Sequence, residues 1–388
     1  MSRLSTTQAV GWIAACVLLC LSCSDIIKVG EGWSDVTELE GGTHDVELSP
    51  LNNGKSIAVD QSGRVHMTYR MRRKQGDDWS GWEVAYKRLS PVEGGFDPDH
   101  QSVVVNESVT HGQPCIATSG TDMVLVAWYQ DVGGVAYIFT TASNDGGLTW
   151  PGPIVSWTPT SGGSRPAAAF DSQGRLHLVW RTRECTKYLR SNEALNGCEI
   201  EKLIHSTYLV TTRQPSIAVD DSDCVHVGWS YAGFTSGYGV DYARSTDCGD
   251  SWTSTGIAGT GDDPPVTIVA DHHGRIYEFW SGVRYRRSLD RGITWDGEMS
   301  LATGSMAAAA IGPNDHIHVV YVKDGAIWYI ASDNYGTSWT MPWRVTDADA
   351  NSAEAPDVAV GADGFIHVVW QQYDADNKVH QLCYRVGQ

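Results

Sequence analysis

PSIAVDDSDCVHVGW, Pro215 to Trp229, is one of seven statements of a single phrase in this chain: a small apolar run, an acidic or glycine turn, then an alternating strand that ends on a ring. PAAAFDSQGRLHLVW (Pro166 to Trp180) and PDVAVGADGFIHVVW (Pro356 to Trp370) repeat it most fully. The histidine column runs His66, Leu125, His177, His226, Tyr277, His318 and His367, and three residues on stand Tyr69, Trp128, Trp180, Trp229, Trp280, Tyr321 and Trp370. The markers lie 59, 52, 49, 51, 41 and 49 residues apart, a period that suits four-stranded propeller blades and is too long for solenoid repeats of one or two elements. The expected fold is all-β: a seven-bladed β-propeller, with six blades as the alternative.

Blade 4 reads as an inner strand A at Pro215–Asp220, B at Cys224–Ser230, C at Val240–Ser245 and an outer D at Trp252–Ala258. Alternation in B sends Val225, Val227 and Trp229 to one face and His226 to the other, and in a propeller both faces meet a neighbouring blade. The marker histidines are therefore expected in the core and not as metal ligands, since Leu125 and Tyr277 fill the same column. The seventh unit offers A (Pro356–Val360), B (Phe365–Gln371) and C (Lys378–Val386), and then the sequence stops at Gln388. An N-terminal strand, His44 to Leu48, is expected to complete this last blade and remove two exposed sheet edges.

Four units carry a second signature, S-x-D-x-G-x-[ST]-W: Ser143 to Trp150, Ser245 to Trp252, Ser288 to Trp295 and, with Asn for Asp, Ser332 to Trp339. It resembles the Asp box of the bacterial neuraminidase (BNR) repeat, the hallmark of the sialidase superfamily. Physically the box is a turn in which Asp accepts backbone N–H bonds, Gly supplies positive φ and Trp plugs the blade. Its aspartates are thus expected to be scaffold and not catalytic.

Arg3 followed by the apolar run Ala9–Leu21 and Cys20-Leu-Ser-Cys23 is expected to be an export signal, too short to span a bilayer, with Cys23 as the lipidated residue of a bacterial lipoprotein. The expected organisation is a lipoprotein-type signal peptide over 1–23, a tether over 24–42 and one propeller domain over 43–388. That places the chain in the bacterial cell envelope, lipid-anchored or secreted, as a monomer. Two disulfides are expected in such a compartment: Cys224–Cys248, from two turns on the same rim of blade 4, and Cys185–Cys198, bracketing an insertion in blade 3; Cys115 and Cys383 are expected to be free and buried. A net charge of −18 argues against nucleic acid as a partner and leaves the lipid anchor as the only expected membrane contact.

Function should lie where the repeat does not dictate the residue, over the axis on the face opposite the Asp boxes. Strand A starts and strand B ends place Lys55, Arg70, Arg165, Arg181, Arg213, Lys323 and Tyr373 there. Arg165, Arg213, Arg70, Arg181 and Tyr373 are the expected substrate-binding residues, forming a mouth for an acidic glycan. The sialidase resemblance implies arginines on a sugar carboxylate, a Tyr nucleophile helped by a Glu, and an Asp acid/base. Tyr231 with Glu184 is the nearest catalytic pair, while the family's F-R-I-P motif is absent and its propellers have six blades. Three readings follow: a sialidase-like glycoside hydrolase, a non-catalytic carbohydrate-binding or scaffold propeller, and a polysaccharide lyase using Tyr and His, with the His111 loop offering the latter. No cofactor and no metal is expected, because no HExxH, GxSxG or phosphate loop occurs and Asp347-Ala-Asp349-Ala-Asn351 lacks the Gly and distal Glu of a calcium loop.

Overall fold

The computed structural model describes residues 32–48, 55–76, 78–90, 95–97, 101–104, 111–150, 155–157, 162–182, 185–206, 210–233, 237–260 and 265–388. The expected signal peptide and Cys23 lie outside these residues. Seven antiparallel sheets follow one another along the chain, one for each repeated phrase. Each inner strand touches the next, and that of the seventh sheet returns to the first, so the sheets form a seven-bladed propeller. Among the described residues no helix is long and apolar enough to cross a membrane.

Blade 4 shows how the sequence builds a blade. Its strands are A (Val210–Val219), B (Val225–Gly233), C (Gly237–Ser245) and D (Thr253–Thr260), longer at the loop ends than the apolar pattern alone implies. Val225, Val227 and Trp229 pack with Ala167, Val179 and Tyr188 of blade 3. His226 faces the opposite way, with its Nδ1 2.7 Å from the Tyr242 hydroxyl. The seven rings of the second column are all buried.

The ring closes with an N-terminal strand in the last blade, but not with His44–Leu48. Thr37–Glu40 pairs with strand C of blade 7 (Val379–Gly387), and Trp33 bridges Gly387. His44–Glu47 instead pairs with Arg70–Arg73, at the upper end of strand B of blade 1, in line with the inner strand Ile57–Val59. Residues 33–40, expected in the tether, thus belong to the propeller. Polarity explains the choice: Glu40 accepts from the Tyr69 hydroxyl (3.1 Å) and from buried Lys87 (3.0 Å), a link that crosses from the last blade to the first.

Neither expected disulfide forms; all six described cysteines are free. Cys185 opens strand C of blade 3 opposite Ser206, whereas Cys198 opens strand D opposite Ser191, so the two thiols sit at opposite ends of one hairpin. The Cys224 thiol is surrounded by Asp220, Arg291 and Arg244, and the Cys248 thiol by Arg175. They face opposite neighbours, blade 5 and blade 3, which sharing a rim does not reveal. Cys115 and Cys383 are free and buried, and burial pushes both thiols up to about 12.

The marker histidines form a buried network along the rim of the A–B turns. Nδ1 of His66, His177, His226, His318 and His367 lies 2.6–2.8 Å from the hydroxyl of Tyr86, Tyr188, Tyr242, Tyr329 and Tyr384 respectively. In blades 1, 3 and 4 the other ring nitrogen faces the turn carboxylate of Asp60, Asp171 or Asp220. These Asp–His–Tyr sets have the composition of a catalytic triad, yet their imidazoles are sealed from solvent and repeat from blade to blade, which makes them scaffold. Blades 6 and 7 have Gly312 and Gly361 in place of the aspartate, and there burial holds His318 and His367 down at about 4.

Two predictions follow from this packing. Glu40→Ala leaves Lys87 charged and buried without its carboxylate, so chemical unfolding should show a loss of about 3–5 kcal/mol, the cost of a broken buried pair. An unchanged midpoint would mean that the closure rests on backbone pairing alone. The second concerns acid. Because the folded pKa of His318 and of His367 lies below the unfolded value, the unfolded chain binds protons more readily; stability is full above roughly pH 6.5 and falls as pH drops toward 4, by about 3 kcal/mol for each histidine. His367→Leu should remove one proton's worth of that slope in unfolding curves taken between pH 7 and pH 4.

Candidate functional site

The face carrying the B–C and D–A connections is where the repeat stops dictating residues. At strand A starts, Gln113, Arg165, Met306 and Ala355 all take positive φ, 49–57°. The register slips beside three of them, between Ser164 and Ala167, Ser305 and Ala308, and Glu354 and Asp357. These three inner strands, of blades 3, 6 and 7, therefore enter through a bulge held in a conformation unfavourable to residues with a Cβ, the kind of local strain that gathers at binding surfaces. Below these bulges Lys55 reaches across the inner strands of blades 6 and 7, donating to the carbonyls of Ala309 and Val358 and pairing with Asp357 at 3.4 Å. Its charge is spent on cross-linking the core.

The richest polar cluster lies on this face where blade 7 meets blade 1. Strand B of blade 1 (Val65–Gln75) overshoots its neighbours and is flanked by His44–Glu47 on one side and Asp78–Trp79 on the other. Arg72 makes two bonds to Asp45 Oδ2 (2.7 and 2.9 Å) and lies 4.7 Å from the Trp79 ring centroid and 4.8 Å from that of Trp82. Arg70 pairs with Glu47 and covers Trp82 at 4.4 Å. From blade 7, the His380 backbone N–H donates to Asp45 Oδ1 at 3.0 Å, and the imidazole sits between Asp45 (3.4 Å) and Glu354 (3.5 Å). Tyr373, paired with His380 across strands B and C, packs against it with the rings tilted and their centroids 5.3 Å apart, and is 41% exposed.

Electrostatics follow from these contacts. The hydrogen bond to Asp45 raises His380 above its ordinary value against the opposing effect of burial. Burial would raise Asp45 too, but His380 and Arg72 together hold it at about 2. The rim therefore presents an imidazole whose protonated form is favoured by an ionised aspartate, beside an open tyrosine. By contrast, hydroxyl and amide donors from Thr149 and Thr294 hold the turn carboxylates Asp145 and Asp290 at about 2 on the opposite face, where they close their own turns. They are unsuited to proton transfer at neutral pH.

The expected site residues divide into two groups across the ring. Arg70 and Tyr373 join the cluster just described, with Arg70 compensated by Glu47. Arg165 (strand A) and Arg181 (strand B) stand at the upper end of blade 3 and Tyr231 on strand B of blade 4. Glu184 lies outside the described residues, as do the side chains of Arg213 and His111. The carboxylate that Tyr231 does meet is Asp241: burial and then the charge of Asp241 raise the phenol, while burial alone lifts Asp241 to about 6. A proton acceptor near neutrality thus stands by Tyr231, on strand C of its own blade and not on a neighbouring loop.

Sequence reasoning missed three of these residues. Asp45 was read as part of a closing strand, and His380 lies in strand C, outside any repeated column. Glu278 was legible: its column elsewhere holds Met67, Val126, Leu178, Val227, Val319 and Val368. It is fully buried, neither carboxylate oxygen has a hydrogen-bond partner among the described residues, and burial, then the charge of Asp241, raises its carboxyl well above the ordinary value. Gly228 of blade 4 makes room for it, since a Cβ there would stand 2.3 Å from its Oε1.

No family model matches the chain, and no curated protein matches it. Solved structures do. An ulvan lyase of polysaccharide lyase family PL25 is 12% identical with a TM-score of 0.62, over 88% of this chain and 94% of its own. YCF48, solved with a D1 peptide, is 12% identical with a TM-score of 0.52, over 93% and 97%. The intramolecular trans-sialidase of Ruminococcus gnavus is 10% identical with a TM-score of 0.50, over 91% and 97%. The chain has the propeller fold that these proteins share, a fold common to lyases and sialidases; at such identities the likeness speaks for the fold alone.

The role of Asp45 can be tested directly. In NMR titrations His380 should titrate above the usual histidine value, and in Asp45→Asn it should fall back toward that value. An unshifted titration would remove Asp45 as its anchor.

Proposed function

We propose that this chain is an exported, Asp-box propeller that binds an acidic polysaccharide across the rim where blade 7 meets blade 1. The observation that carries the reading is the convergence of His380, Tyr373, Arg72 and two tryptophans at positions the repeat leaves unspecified. A sugar ring stacks on aromatic faces, and a carboxylate pairs with a cation. His380, one-third exposed and protonated below its raised pKa, supplies that cation by exchanging its 3.5 Å contact with Glu354 for the sugar carboxylate while Asp45 holds the other ring nitrogen. Export with lipidation at Cys23 is part of this proposal and rests on the N-terminal sequence.

A second reading, lyase action, is favoured by one contact. Elimination from a uronate needs a cation on the carboxylate and groups that take a proton from carbon and give one to the leaving oxygen, and Tyr373 with His380 brings both kinds of group to one surface. The ulvan lyase with a bound -[GlcA(1-4)Rha3S]- unit shows that a propeller similar in fold can hold such a polymer. The sialidase-like hydrolase reading keeps Tyr231 and Asp241 as its pair and lacks an assembled arginine set among the described side chains.

Calorimetric titration with uronate oligosaccharides, sialyllactose and a neutral control discriminates these readings. Uronate binding should be tightest at acidic pH and weaken as pH rises through the raised pKa of His380, where the imidazolium is lost. His380→Gln should weaken it by about 1.5–3 kcal/mol and abolish the pH dependence. Ultraviolet absorbance of an unsaturated product would establish the lyase, and equal binding of neutral sugars would sink the acidic-glycan reading.

A further inference from the structure

The A–B turns lie on the face opposite the glycan rim, and their residues are largely set by the fold. A carboxylate or glycine opens the turn, and glycine closes it at Gly63, Gly174, Gly274 and Gly364, all with positive φ. Between these ends the chain uses Gln61-Ser62, Ser172-Gln173, Asp221-Ser222 and Ala362-Asp363, none of which the turn demands. Blades 5 and 6 depart from this pattern together. Blade 5 places His272-His273 in the middle of its turn, and blade 6 closes its turn with Asp315 at φ 59°, as blade 4 does with Asp223 at φ 57°, but directly after Asn314 at φ 65°. Like Asp223, which accepts from the Ser172 N–H of blade 3, Asp315 accepts from the His272 N–H of the blade before it at 3.0 Å, and the two imidazoles are what blade 5 adds. Two consecutive side-chain-bearing residues in the left-handed region cost stability that glycine would spare.

The departures meet. Asp315 is buried, and its Oδ1 lies 2.8 Å from His272 Nδ1 while its Oδ2 lies 2.5 Å from His273 Nδ1. Ligand-capable atoms of Asp271, His273 and Asp315 all fall within 4.8 Å of one another. We propose that His272 and His273 of blade 5, facing Asp315 of blade 6 with Asp271 behind, form a binding site for a divalent transition-metal ion of the zinc type. Two imidazole nitrogens and two carboxylate oxygens are a donor set suited to tetrahedral zinc. Both imidazoles are exposed, 57% and 70%, which gives the ion a path in and lets the rings turn to meet it.

The charges around the site permit it. Arg275 bonds Asp271 Oδ2 (2.5 Å) and Asp315 Oδ2 (2.9 Å) and is pinned by the Tyr335 ring at 3.4 Å from its centroid. With two carboxylates and one guanidinium the cluster carries a formal charge of −1, so a divalent ion enters a negative site. Bound there, it clamps blade 5 to blade 6.

The test uses untagged protein in equilibrium dialysis against zinc, with bound metal counted by elemental analysis. One zinc per chain is expected, a rise in Tm of several degrees that chelator reverses, nickel in place of zinc, and no comparable binding of magnesium or calcium. His272→Ala and His273→Ala should each weaken zinc binding by roughly tenfold or more, the scale on which a lost metal contact is felt. Asp315→Gly places here the glycine that blades 1, 3, 5 and 7 use, so the protein should still fold while losing the ion. Equal zinc uptake by the double histidine variant would assign the metal to the free thiols and overturn the proposal, as would no stoichiometric uptake by wild type, or calcium binding that survives loss of both histidines.

Discussion

One contact sets the spacing of the ring: a tyrosine of strand C laid against the outer turn of the following blade. Tyr86, Tyr188, Tyr242 and Tyr285 meet Trp150, Trp252, Trp295 and Trp339 edge to face, with centroids 4.8–5.4 Å apart. Their hydroxyls occupy the space in which a Cβ on Gly147, Gly249, Gly292 or Gly336 would stand, 1.8 to 3.0 Å away. The glycine of the S-x-D-x-G-x-[ST]-W turn is thus required twice, by its own positive φ and by a ring from the blade before it. Where the turn is missing, another ring takes the place of its tryptophan. Tyr329 meets Trp33 of the closing segment at 5.3 Å, and Tyr384 meets Phe96 of blade 1 at 4.9 Å. The N-terminal segment therefore restores the same edge-to-face contact as well as a row of backbone hydrogen bonds.

The junction of blades 2 and 3 departs from the rule, and the departure is consistent at every position. Leu125 replaces the marker histidine, Thr140 holds the tyrosine position and bonds Trp157 at 2.7 Å, and blade 3 connects its outer strands through a hairpin around Asn192–Gly197. A pocket of about 360 Å³ opens there, lined by Leu125, Thr140, Asn144 and Leu195. Loss of one member of the network removes the reason for the others, as expected of interactions that polarise and position one another.

That coupling explains what was legible in the sequence. Residues that touch a neighbouring blade recur from unit to unit, so the blade count, the buried rings and the turn chemistry of Asp145, Asp247 and Asp290 could be read from periodicity alone. Single events could not. The closing strand is expected seven residues late because Thr37–Glu40 and His44–Glu47 are both short strands carrying carboxylates, and their partners, Lys87 for Glu40 and Arg70 and Arg72 for Glu47 and Asp45, are brought to them only by the fold. The disulfides failed for a related reason: a repeat tells which rim a cysteine occupies, not which neighbour its side chain faces.

The same distinction separates scaffold from function here. Histidines repeated in one column are buried and hydrogen-bonded to tyrosines, whereas His272, His273 and His380 occur once each in the pattern and reach solvent. Each of these three makes contact with a carboxylate contributed by another blade or by the N-terminal segment, Asp315 or Asp45, and not by its own repeat unit. A propeller can vary such positions without disturbing its ring, because the tyrosine-to-turn contacts carry the packing. The non-repeated imidazoles therefore stand on the two faces that the ring leaves free to vary: His380 beside aromatic rings on one, His272 and His273 against a carboxylate on the other.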